Sequence, residues 1–223
     1  MPSTTGTILL ILLFFIVIFK KYYLALHREI YIRSFTLPEG MIERMRMHHP
    51  ELNSRDFELM HLALRQFFTA YLRCDFKSVG MPSVLIGILW REFSCYTKSY
   101  QRFCENAFGH VLPYTPVSVL SDHKEANIAL RRCWQYVCHE EGIDPYSPQA
   151  LPLLFEIDGL CQVKNRIHYL IDDATTQQPY DATSKMFYVS DFLSTSFDGS
   201  VDGLDDHQQE QNSKKRWTLV NSF

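Results

Sequence analysis

Ile8 to Phe19 is twelve consecutive residues drawn only from Ile, Leu, Phe and Val, and no charged side chain occurs from Met1 to Phe19. A run of this kind has few places to go. Nineteen helical residues at a rise of about 1.5 Å span roughly 28 Å, close to the thickness of a bilayer's hydrocarbon core. At roughly −0.3 to −0.6 kcal/mol per strongly apolar residue, the twelve contribute about −4 to −7 kcal/mol towards insertion. Ser3, Thr4 and Thr5 suit one interface. Lys20, Lys21, Tyr22 and Tyr23 follow at once, a cationic and aromatic collar suited to the other. We therefore read residues 4–19 as a transmembrane helix, with residues 1–3 outside it and the bilayer as the first partner.

The competing reading is a cleaved signal peptide. That would want positive charge before the apolar core and a small-x-small site after it. Here the lysines come after the core, and no clean Ala-x-Ala follows. The features favour a retained signal-anchor. Lys20, Lys21, Arg28 and Arg33 all lie on the C-terminal side, so the positive-inside rule expects the N-terminus outside an inner or plasma membrane and the body in the cytoplasm.

The rest of the 223 residues is rich enough to fold, since 46% of the chain is apolar and 14% aromatic. The net charge of −3 is small and argues against a nucleic-acid partner. It is unevenly spread. From Lys20 to His110 there are 13 Lys/Arg and 9 Asp/Glu, a net of +4, which leaves −7 on the remainder. Cys74, Cys95, Cys104, Cys133, Cys138 and Cys161 are scattered without a CxxC pair, and reduced, buried thiols are expected.

The pattern predicts a mainly α chain. Residues 20–35 continue as a juxtamembrane helix, and residues 36–172 form a compact domain of about four to five helices with one short strand. Thr36 or Leu37 caps a first short helix with Pro38 in its first turn, ending near His48-His49-Pro50. Ser54 caps a longer helix, with Asp56 and Glu58 in its first turn and Phe57, Met60, Leu64, Phe67, Phe68 and Tyr71 along one face. A helix from about Ser83 to Phe108 stops at Gly109; another runs from about Lys124 to His139, closed by Gly142; a last one spans roughly Pro148 to Leu160. Residues 167–171 read as a strand. Beyond Asp172, Thr, Gln, Ser, Asp and Gly dominate, so residues 173–223 are expected to be largely disordered. Met186-Phe187-Tyr188-Val189 and Trp217-Thr218-Leu219-Val220 are docking points within that tail, and Lys214-Lys215-Arg216 gives too few charges for a lipid site.

The densest stretch for chemistry is Met81-Pro82-Ser83 followed by Trp90-Arg91-Glu92-Phe93, Thr97, Tyr100, Phe103-Cys104 and Phe108-Gly109. Trp90, Phe93, Thr97, Tyr100, Cys104 and Phe108 advance by three or four and share a helical face, which is also what a plain core stripe does. With Leu64-Arg65-Gln66-Phe67-Phe68 upstream and Leu151-Pro152-Leu153-Leu154-Phe155 downstream, these residues resemble the uncharacterised bacterial glycine-rich domain-containing protein-like family over about residues 36–172. The resemblance implies an acidic residue and three histidines near Cys104, a set that would suit a metal or acid–base site. This chain has Ile86-Gly87-Ile88, Arg91 and Pro113-Tyr114 at those places, so the shared chemistry is expected to be lost. Cys104, His110 and His139 remain as weak metal candidates, and no cofactor is expected. His48, His49 and His61 form a weaker set still.

Two functional classes follow. The first is a non-enzymatic, membrane-tethered interaction or adaptor protein whose helical body docks a protein partner. The second is a metal-dependent or hydrolytic enzyme with a rearranged site around Cys104, His110 and His139. An inner-membrane immunity-type protective protein is a third reading, carried by size and anchoring alone.

Overall fold

A computed structural model of the protein describes residues 4–117, 124–162, 167–171 and 185–190. Seven helices and two short strands make up these residues: α1 (Thr4–Ser34), α2 (Met41–His48), α3 (Ser54–Arg73), α4 (Val84–Cys95), α5 (Thr97–Ala107), α6 (Lys124–Glu141), α7 (Leu153–Leu160), β1 (Ile167–Leu170) and β2 (Lys185–Tyr188).

Helix α1 runs unbroken for 31 residues, roughly 46 Å. It is long and apolar enough to cross a membrane. From Ile8 to Phe19 its side chains are between 48% and 70% exposed, so the body covers none of them. The C-terminal end behaves differently. Glu29 and Ile32 are buried, as is Phe35 just beyond the helix. The body therefore recruits the last turns of α1, where the sequence pattern had placed the domain's start at residue 36.

The core is built on α3. Its apolar spacing buries Phe57, Met60, Leu64, Phe67, Phe68 and Tyr71 against α1, α4, α6 and α7. The start of α3 is set by a capping box: Asp56 N–H donates to Asn53 Oδ1 at 3.1 Å, and Asn53 N–H donates to Asp56 Oδ2 at 2.8 Å. Asn53, rather than Ser54, is thus the cap. Helix α2 begins at Met41 after a left-handed Gly40, with Pro38 in the turn that precedes it, so Thr36 and Leu37 do not cap it.

The long helix expected over residues 83–108 is two helices. Ser94 Oγ donates to the Arg91 carbonyl at 2.6 Å, and Tyr96 leaves helical geometry with ψ of 63°. The Trp90 side chain bridges this break, its Nε1–H donating to Tyr100 Oη at 2.8 Å. Residues 110–117 fold back over α4. Tyr100 Oη–H donates to the Leu112 carbonyl at 2.6 Å, and Tyr114 packs on Trp90 with ring centroids 5.1 Å apart. Gly87 admits this segment, because a Cβ there would sit 2.7 Å from the Val117 side chain.

Helix α6 extends to Glu141 and ends on left-handed Gly142, as its pattern suggests. Helix α7 starts only at Leu153, after Pro152. Strand β1 pairs in parallel with β2, Tyr169 opposite Phe187. Lys185–Tyr188 thus forms a strand within the stretch expected to be disordered; Trp217-Thr218-Leu219-Val220 and most of the tail lie outside the described residues. All six cysteines are free, with Cys104, Cys133, Cys138 and Cys161 buried and only Cys95 exposed.

Candidate functional site at the helix junction

The motif residues come together as core. Trp90, Phe93, Tyr100, Phe103, Cys104 and Phe108 are all buried, and Glu92 is half-buried. The Phe103 ring is the hub, with centroids 4.5 Å from Phe35, 4.9 Å from Phe68 and 5.4 Å from Phe93. Thr97 is exposed, because the break at Tyr96 turns the first residue of α5 away from the face its spacing implied. Gly109 terminates α5 with φ of 82°, its N–H donating to the Cys104 and Glu105 carbonyls.

The candidate ligands are placed differently. Cys104 is fully buried, and burial pushes its thiol up, away from the thiolate a metal or a nucleophilic mechanism needs. His110 is exposed, with Nε2 3.0 Å from Tyr71 Oη and its ring against Phe76 at 5.1 Å. His139 lies on the exposed face of α6. His48 is exposed and His49 half-buried at the end of α2, where His49 Nδ1 lies 3.2 Å from Glu51 Oε1. Among the described residues, no three His, Cys, Asp or Glu side chains gather as a metal ion would require. A recess of about 230 Å³ lined by Leu151, Glu156, Tyr169 and Leu170 falls below the roughly 300–1,000 Å³ of ordinary ligand sites.

The concentrated polar chemistry sits where α1 enters the body. Glu29, whose side chain is 12% exposed, accepts from Arg33 Nε at 2.9 Å and from Arg73 Nη2 of α3. Arg33 reaches on to Glu140 of α6 at 2.7 Å. Four alternating charges thus tie three helices. The two carboxylates hold the Arg33 guanidinium above its usual range despite burial. Around them, Tyr31 stacks on Phe103 at 6.0 Å, and Arg28 lies over Phe76 at 5.9 Å. Where α1 ends, Arg65 Nη2 donates to the Phe35 carbonyl at 2.5 Å and its guanidinium covers the Phe35 ring. A cation at the last carbonyls suits a helix C-terminus. His61 meets the Phe35 ring edge-on at 5.0 Å, and burial with the neighbouring Arg65 lowers its pKa to about 4.

A second polar node closes the other side of the core. Asp158 of α7 is 1% exposed. It accepts from Ser83 Oγ at 2.5 Å, from Val84 and Leu85 N–H at 2.8 and 3.1 Å, and from Ile167 N–H at 3.4 Å. Burial raises its pKa while these four donors pull the other way. Tyr169 Oη donates to the Pro82 carbonyl at 2.9 Å. Met81-Pro82-Ser83 is therefore a structural joint between α4, α7 and β1. Sequence reasoning missed both nodes, although Glu29 and Arg33 show the four-residue spacing of a helical ion pair.

Fold and junction together define a helical body carried on, and built around, the end of one long apolar helix. A family model described as UCP032817-like matches residues 27–192, and the chain belongs to that family. The match overturns the resemblance to the glycine-rich domain-containing protein-like family. The reason is physical: the residues behind that resemblance are mostly core aromatics and helix stops, which many helical cores share. No curated protein and no solved structure matches the chain. The family segment opens within a residue of Arg28, where α1 begins to pack on the body, and ends just past β2.

Proposed function

We propose that this chain is a single-pass membrane-anchored, non-enzymatic adaptor. Its N-terminus lies outside, and its helical body, in the cytoplasm, offers a surface to a protein partner. The observation that carries the reading is the continuity of α1. The apolar segment does not end in a loose linker. It runs as one helix into Tyr31 and Ile32, with Phe35 just past its end, and all three pack in the core, while Glu29 is buried beside them. A signal peptide is discarded from the mature fold. Here, anything cut after Phe35 would take Ile32 and Phe35 with it, and earlier cuts meet Tyr22-Tyr23-Leu24 inside a helix rather than small residues. The motif face supports a non-enzymatic role, since its members are committed to packing.

The test has three readouts on the full chain. Intact mass should show the N-terminal segment retained, and alkaline carbonate should leave the protein in the membrane pellet. A C-terminal alkaline phosphatase fusion should be inactive. Mild crosslinking should recover a specific protein partner; recovery of monomer alone would sink the adaptor reading, and an active phosphatase would reverse the orientation.

A further inference from the structure

Three packing registers fix which end of the body faces the bilayer. On α3, His61, Arg65 and Phe68 meet Phe35, while Arg73 meets Glu29 and the following Phe76 meets Arg28. On α5, Phe103 meets Tyr31 and Phe35, and Gly109 packs on the Arg28 guanidinium. On α6, Glu140 meets Arg33, while Arg132, two turns earlier, donates to the Ser78 carbonyl. The ends of α3 and α5, and the N-terminal half of α6, therefore point along α1 towards its apolar segment. The turn at residues 74–79 and the loop at residues 109–112 form that end of the body.

Helix geometry sets how far this end stands from the membrane. Residues 4–19 of α1, about 24 Å of helix, supply the hydrocarbon span, and the collar from Lys20 to Tyr23 completes about 30 Å. Tyr22 and Tyr23 then lie at the interface, with Lys20 and Lys21 extended to it. Arg28 is five residues further, roughly 7–8 Å, about the depth of the headgroup layer on one side. The charges at this level are Lys20, Lys21, Arg28, Lys77 and Arg132 against Asp75 and Glu105, with His27 and His110 beside them. Glu29 is closed off by Arg33 and Arg73. Val111 is 48% exposed at the rim. The turn is also held in shape. Asp75 and Phe76 both take left-handed φ values, 56° and 61°, and the Phe76 ring is kept there by Tyr71, Phe108, His110 and Arg28.

We infer that this end of the body is an anionic-lipid contact surface. The turn around Lys77 and the loop around His110 and Val111 sit among phosphate headgroups, with Lys20, Lys21 and Arg28 in the same layer. The inference rests on the anchor reading, to which it adds a place and an orientation for the body. The test uses the full chain in nanodiscs, with Cys95→Ser as background and a fluorophore on Val111→Cys or, at the far end of the body, on Met47→Cys, a position 75% exposed. Headgroup spin-labelled lipid should quench the label at 111 at least about twofold more than the label at 47 when phosphatidylglycerol is present, and Lys77→Glu should remove about half of that difference. Equal quenching at the two positions, in a chain that resists alkaline extraction, overturns the inference and leaves the anchor standing. The same quenching with phosphatidylcholine alone overturns the preference for anionic lipid. A chain released by alkali overturns the anchor and the inference together.

Discussion

At the scale of single residues, Asp158 is the most exacting position. One carboxylate satisfies a hydroxyl and three backbone N–H groups at a position almost closed to solvent. Removing it orphans those donors at the start of α4 and at β1, each at about 1–3 kcal/mol. We expect Asp158→Ala to lower unfolding stability by about 3–5 kcal/mol in chemical denaturation, with Ser83→Ala losing only about 1 kcal/mol. Equal losses for the two would mean that the carboxylate is not the hub. His61 gives a pH signature. Its folded pKa of about 4 lies below the ordinary 6.5, so the unfolded chain binds the proton more readily. The stabilisation is complete above pH 6.5 and falls away as the pH drops from 6.5 towards 4. The ring is half-buried, so solvent trims the effect to about 1–2 kcal/mol. The denaturation midpoint of the full chain in detergent should fall between pH 7.5 and 4.5, and His61→Gln should flatten that fall. An unchanged slope would show that other groups carry it.

Between elements, the junction of α1 with α3 and α6 decides how rigidly the apolar helix and the body are joined. Arg33 and Arg73 are nearly half exposed at 48% and 44%, which limits each pair to a modest net value, while Glu29 at 12% carries the desolvation. Glu29→Ala should destabilise by about 2 kcal/mol, and a double-mutant cycle with Arg73→Ala should give a coupling of about 1 kcal/mol. Zero coupling would mean that the quartet contributes nothing to joining the three helices. This is also the scale at which the sequence is most and least readable. Helices whose stripe runs cleanly, such as Phe57 to Tyr71, and stops that need a left-handed residue, Gly109 and Gly142, are legible because local geometry alone demands them. The break at Tyr96 is not, since no Gly or Pro marks it and it depends on Ser94 and on the Trp90–Tyr100 bond across it. The junction escapes for a related reason. Glu29 and Arg33 look like an ordinary exposed pair until Arg73 and Glu140 arrive from residues 44 and 107 positions further on. The motif stripe misled in the opposite direction, because aromatic spacing is shared by a functional face and by a core.

For the whole molecule, the decisive question is where the body begins. The family segment opens at residue 27, close to the first packed turn of α1, and leaves the apolar run outside. Ile32 at 0% and Phe35 at 7% exposure are as buried as the centre of α3. Burying side chains of this size is worth about 1.5–3 kcal/mol each, and losing Glu29 removes an ion-pair tie besides. The sum is about 5–8 kcal/mol, comparable with the roughly 5–15 kcal/mol that holds a domain of this kind folded. Two truncations separate the possibilities. A chain starting at residue 25 keeps every α1 contact to the core and discards the apolar segment, so it should be soluble, helical by circular dichroism, and unfold cooperatively. A chain starting at residue 37 lacks Ile32, Phe35 and Glu29, so it should aggregate or lose its cooperative transition. Equal stability of the two would mean that α1 merely rests on the body. A cooperative difference between them would make the last turns of α1 part of the fold, so that the body cannot be cut from its long N-terminal helix at residue 36 without unfolding.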